Sequence, residues 1–233
     1  MTQTDSAPPR SRLLSRSFGG IFRFARRRPL TTLLSCLLFV ALVLFAYREF
    51  TFRSQLKFAR REVERGHNAA AAPGLATCRA IRPTDAELLL LCATTARRSG
   101  LWEEAESLLD EYSKSHGDDD ALVFERIALR ATRGDLEFAA PLLIARIEAG
   151  GDRARAAREA LVAGLLHRFR WFEADRNLAA WLQSSPDDTF ALMLRGKLDE
   201  QRLQTEAALA SFKRVVELDP DHDEARLRTT TLL

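Results

Sequence analysis

Residues 100–117 read GLWEEAESLLDEYSKSHG, and their pattern decides the fold. Ala105 and Leu109 are four positions apart, so they share one face of a helix that a glycine precedes (Gly100) and another follows (Gly117). Stepping 34 residues in either direction finds the same types again: Gly66 and Gly134, Ala71 and Ala139, Leu75 and Leu143. Three residue types returning in one register make the chain an array of a single unit. Each unit reads as helix, turn, helix, with glycine at the turn and a small alanine where the helices pack closely.

The register extends to five units over 52–222, namely 52–85, 86–119, 120–153, 155–188 and 189–222, with Ala154 inserted between the third and fourth. The second helices repeat best. Their small residue is Ala71, Ala105, Ala139, Ala174 and Ala208, and their large apolar residue is Leu75, Leu109, Leu143, Leu178 and Phe212. Each unit ends on a residue that stops a helix: Pro83, Gly117, Gly151, Pro186 or Pro220. Leu89, Ala93 and Ala96 take the buried positions of one first helix. Three departures stand out. Phe169 and Leu203 replace the turn glycine. Pro73 and Pro141 fall inside second helices, where local distortion is expected. In the fifth unit Arg195 and Asp199 sit where apolar residues belong, with Leu194 and Leu198 one position earlier, so that helix is expected to shift by one and to be followed by a longer turn.

With its period of 34 and with stretches such as LWEEAESLLDEY from Leu101 and AALASFKRVVELDP from Ala207, the chain resembles the tetratricopeptide repeat family over residues 52–222, of a membrane-anchored bacterial type. The resemblance implies an all-α, right-handed superhelical array whose concave face is lined by first helices and holds a protein or peptide. In this register the lining would be Leu56, Arg60, Leu90, Thr94, Arg97, Phe124, Ala128, Glu159, Ala163, Met193 and Lys197. Part of the family grips C-terminal carboxylates with Lys and Asn of first helices. The only asparagines here, Asn68 and Asn177, lie outside first helices, so that clamp is absent.

Before the repeats, Leu30–Tyr47 runs LTTLLSCLLFVALVLFAY without a charge. Eighteen helical residues span roughly 27 Å, close to the thickness of a bilayer core. Arg23, Arg26, Arg27 and Arg28 precede the run and Arg48 follows it. The core is too long for a usual signal peptide, and no small-x-small cleavage pattern follows it. Residues 1–29 are read as a disordered basic cytoplasmic arm with seven Arg and one Asp, and 30–47 as a signal anchor. Keeping those arginines inside favours repeats outside the cytoplasm. No break is needed between Tyr47 and Phe52, so span and first repeat helix are expected to be continuous. The residues after Asp221 are expected to form a capping helix or part of a further unit.

The whole chain is +3 and the arm +6, which leaves 30–233 at −3, so nucleic-acid binding by the repeats is not expected. His67, His116, His167 and His222 lie at inter-helix turns, and no two have the spacing of a metal site. Asp219, Asp221 and Asp223 imitate a calcium loop, but Glu224 and Thr230 stand where it needs Gly and Glu; helix capping is the reading for these carboxylates and for Asp118–Asp120. Cys78 and Cys92 fall on adjacent helices and read as small core residues, the alternative being a bridge between them if the compartment is oxidising and their Cα atoms come within about 7 Å. No catalytic residue, cofactor, metal or small-molecule substrate is expected. The function implied is a non-catalytic, membrane-anchored scaffold for protein–protein interaction. The alternative is an accessory subunit of a membrane enzyme or assembly complex, as in cytochrome maturation or envelope biogenesis.

Overall fold

The computed structural model describes residues 29–233, with side chains from Leu33 onward; the basic arm over 1–28 lies outside the described residues. Among the described residues there are helices and turns and no strand. The helices are α1 (Pro29–Arg65), α2 (Asn68–Ile81), α3 (Ala86–Arg98), α4 (Trp102–His116), α5 (Asp120–Thr132), α6 (Leu136–Ala149), α7 (Ala154–His167), α8 (Trp171–Ser184), α9 (Thr189–Gln201), α10 (Thr205–Leu218) and α11 (Asp223–Thr231).

The chain divides into two compact units after Thr51. In the first, α1 exposes a column of large apolar side chains that includes Leu34, Phe39, Phe45 and Phe50. It is long and apolar enough to cross a membrane. The helix runs unbroken from Pro29 to Arg65, as its lack of Pro or Gly between Tyr47 and Phe52 predicts.

The second unit, Phe52–Leu233, is the repeat array. Ala71, Ala105, Ala139, Ala174 and Ala208 are all 0% exposed, and the large residue four positions after each is buried with it. Close helix crossing demands the small residue, and one turn later the larger one fills the space this leaves. First helices pack on one another, α3 on α5, α5 on α7 and α7 on α9, and so form one face. The inserted Ala154 is absorbed as an extra residue at the start of α7, which has 14 residues where α3, α5 and α9 have 13. α2 and α6 continue through Pro73 and Pro141, both of which face solvent.

Caps fix where first helices begin. Asp85, Asp119 and Asp188 accept from backbone N–H groups at the starts of α3, α5 and α9, satisfying donors that a helix leaves open. At α11 that role falls to His222, whose Nδ1 accepts from Ala225 N, and not to the aspartates expected there.

All five turns within the pairs are alike. In each, the third turn residue donates five residues back and the second three back, as in Leu101 N to Ala96 O (2.9 Å) with Gly100 N to Arg97 O (3.1 Å), and Gln204 N to Asp199 O (2.8 Å) with Leu203 N to Glu200 O (2.9 Å). This closure requires a left-handed residue in the middle. Glycine supplies it in three turns, whereas Phe169 (φ 56°) and Leu203 (φ 59°) supply it in the other two, at a cost of about 1–2 kcal/mol each. The fifth unit therefore keeps its register, which corrects the expected shift and longer turn. Asp199, 1% exposed, stays in the apolar position because Arg195 pairs with it at 3.1 Å and with Asp175 at 2.6 Å.

Candidate functional site

The face formed by first helices carries charge in its interior. Arg98 of α3 makes a two-pronged pair with Glu159 of α7 (2.6 and 2.8 Å) and donates through Nη1 to Val63 O (2.6 Å). Arg97, 3% exposed, reaches Glu125 of α5 at 3.3 Å and Glu159 at 4.0 Å, while its Nη2 has no hydrogen-bond partner. Burial opposes ionisation of Glu159, but Arg98, Arg97 and Arg155 outweigh it and hold the carboxyl below its usual range.

Phe190 of α9 sits between two guanidinium groups, Arg98 at 4.7 Å and Arg155 at 4.4 Å from its centroid. Arg155 also pairs with Asp188 at 2.9 Å. Gly66, in the first turn, approaches the same ring so closely that a Cβ there would stand 3.1 Å from Phe190 Cζ, and its φ of +90° independently favours glycine. Next to it, His67 Nδ1 is 2.8 Å from Glu62 Oε2 and Nε2 is 2.9 Å from Asp219 Oδ2, with the His222 ring edge-on at 5.1 Å. The first and fifth repeats thus meet across the inner face. A cavity of about 240 Å³ lies on this face, lined by residues of all five repeats.

Five of the eleven predicted lining residues, Arg97, Glu159, Ala163, Met193 and Lys197, border this cavity. Lys197 is half-buried and pairs with Glu224 at 2.8 Å. The other six are not brought to it. Phe124 and Ala128 are buried in the core between α5 and its neighbours. Leu90 and Leu56 are half-buried against the cores of the second and first repeats. Thr94 is half-buried, and Arg60 is exposed and paired with Glu87. Arg98, Trp102, His167, Phe190 and Asn68 also line the cavity and were missed. Trp102 and His167 have rings that meet edge-on at 5.1 Å; Trp102 opens the second helix α4 and so falls outside the first-helix rule, while His167 is the last residue of α7. The thiols of Cys78 and Cys92 are free; burial pushes the Cys92 pKa up to about 11. Among the described residues no group of three or more His, Cys, Asp or Glu is placed to hold a metal ion.

These features define a class: an all-α helical-repeat protein, built from five turn-closed pairs. Residues 62–131 match the family described as "Tetratricopeptide repeat". Among solved structures it is similar to a tetratricopeptide repeat protein from Parabacteroides merdae, at 16% identity over 76% of this chain and 69% of that one, with a TM-score of 0.53; this likeness concerns the fold. It also resembles YrrB, described as "a TPR protein with an unusual peptide-binding site" (16% identity, 76% and 90% covered, TM-score 0.41), and a point mutant of MamA (20%, 75% and 98%, TM-score 0.39). No curated protein matches the chain.

Proposed function

We propose that the protein is a non-catalytic scaffold, held in a membrane by the apolar part of α1, that binds a protein or peptide on the inner face of its repeats. The observation that carries this reading is the cavity on the inner face, bordered by five of the predicted lining residues, among them Arg97 with its unpartnered Nη2. Helical-repeat faces of this kind recognise polypeptides through many modest contacts. Apolar Met193 and Ala163 beside Arg97 and Lys197 suit a side chain of mixed character or a helix end better than a long extended strand. Leu30–Tyr47 supplies the length needed for a span, and seven arginines before it favour an N-terminus inside and repeats outside the cytoplasm.

A photo-crosslinking residue at Ala163 of the full chain, activated in native membranes, tests the site. The account expects one dominant adduct, lost when Met193 is replaced by Glu; a catalytic enzyme as that partner would make the protein an accessory subunit. Adduct formation no stronger at Ala163 than at Glu206 on exposed α10 would exclude the inner face.

A further inference from the structure

Two residues on the border of the inner-face cavity carry a buried polar atom without a hydrogen-bond partner: the donor Nη2 of Arg97 and the acceptor Oδ1 of Asn68. Arg97 is itself 3% exposed, so a partner for its free N–H must enter the cavity to reach it. The charges around it are already matched. Arg97 and Arg98 face Glu125 and Glu159, Arg155 faces Asp188, and Lys197 faces Glu224. A carboxylate brought in would add an unbalanced anion to this set, whereas a neutral oxygen would take up the free N–H and leave the balance intact. Much of the remaining border is aromatic or apolar. Trp102 meets His167 edge-on at 5.1 Å, and α9 contributes Phe190, Met193 and Leu194. An apolar cavity of about 150 Å³ already takes a benzene ring. This one has about 240 Å³.

We infer that the cavity is an anchor pocket for one tyrosine side chain of the bound polypeptide. The inference rests on the inner face being the partner-binding face, and it names what that face selects. The ring packs against Trp102, Phe190 and Met193, which offer aromatic and sulfur contacts. Its hydroxyl accepts from Arg97 Nη2 and donates to Asn68 Oδ1. Of the large aromatic side chains only tyrosine can do both, because phenylalanine has no polar atom and the tryptophan N–H only donates. Aspartate or glutamate would answer the arginine but bring the unbalanced charge. One buried aromatic anchor of this kind carries a large share of the binding energy of a polypeptide contact.

The test uses the full chain in lipid nanodiscs, with fluorotryptophan in place of its three tryptophans. Fluorine NMR then follows Trp102 on the cavity border, with exposed Trp171 and buried Trp181 as internal references. The ligands added are the N-acetyl amides of tyrosine, phenylalanine and glutamate. The tyrosine compound should move the Trp102 signal alone, and bind at least about fivefold more tightly than the phenylalanine compound, the worth of one net hydrogen bond. Asn68→Ala should weaken the tyrosine compound by about threefold or more and leave the phenylalanine compound unchanged. Equal affinity for tyrosine and phenylalanine would overturn the role of the hydroxyl. Tightest binding by the glutamate compound would make the cavity a carboxylate site instead. Movement of all three tryptophan signals, or of none, would overturn the pocket. The crosslink at Ala163 reads the inner face separately. An adduct there beside an unmoved Trp102 signal would strike the tyrosine pocket and keep the scaffold; a moved signal without the adduct would do the reverse.

Discussion

His67 Nε2 stands 2.9 Å from Asp219 Oδ2, joining the turn of the first repeat to the end of the fifth. The contact lies beside the cavity, which Gly66, Asn68, His222 and Glu224 border. It has His222 alongside, whose pKa is lowered by burial first and by the neighbouring His67 second, against smaller opposing pulls from Glu224 and Asp219.

A pH dependence follows from His222. Its folded pKa lies below its unfolded value of 6.5, so the unfolded chain binds the proton more readily. The stability it contributes is whole above that value and is lost as pH falls through the folded pKa. Neutral His222 also accepts the cap bond from Ala225 N, which protonation of Nδ1 would remove. Melting of the full chain in detergent should therefore drop between about pH 7.5 and about pH 5.5. His222→Asn keeps a cap acceptor and should flatten the drop; an unchanged slope would refute this role.

Glu159→Gln should be severe. It leaves Arg98 without its counter-charge and Arg97 with Glu125 alone, a loss of about 3–5 kcal/mol in denaturant unfolding. Glu103→Ala, whose partner Arg133 lies 3.8 Å away on the surface, should cost well under about 1 kcal/mol. Similar losses for both would contradict the buried network.

The register makes a separate prediction in the second repeat. Ala105→Trp should overpack a contact that has no free space and cost at least roughly 1–3 kcal/mol. Leu109→Ala should leave a cavity worth roughly 2–5 kcal/mol. If either is as mild as Glu103→Ala, the helix faces are misassigned.

Leu203→Gly should stabilise the array. It removes about 1–2 kcal/mol of left-handed strain, partly offset by the greater freedom of glycine in the unfolded chain. A net gain of about 0.5–1 kcal/mol is expected, because the side chain contributes little burial. A net loss would mean that Leu203 has a packing role within the chain.

The second helices were legible because their information is local: Ala208 and Phe212 must share a face at four-residue spacing whatever surrounds them. The fifth first helix was not, since Asp199 in an apolar slot looks like a register slip until Arg195, one turn earlier on the same helix, is seen to neutralise it. Arg97 and Glu159 were identified as lining residues, but their pairing depends on how far each repeat rotates about the next. That rotation sums small packing angles over several interfaces, and no single residue type encodes it. For the same reason nothing in the sequence brings His67 to Asp219. Phe169 and Leu203 were visible as replaced glycines, whereas their exposure at the edge was not.

The orientation of the array tests the account most directly, because it decides which partners can reach the inner face. Paired fusions after Leu233 would measure it, one with an alkaline phosphatase active only outside the cytoplasm and one with a fluorescent protein that matures only inside. The account predicts an active phosphatase and a dark fluorescent fusion, with both signals mixed when Arg26, Arg27 and Arg28 are all replaced by Glu. A fluorescent fusion with an inactive phosphatase in the unaltered chain would contradict it.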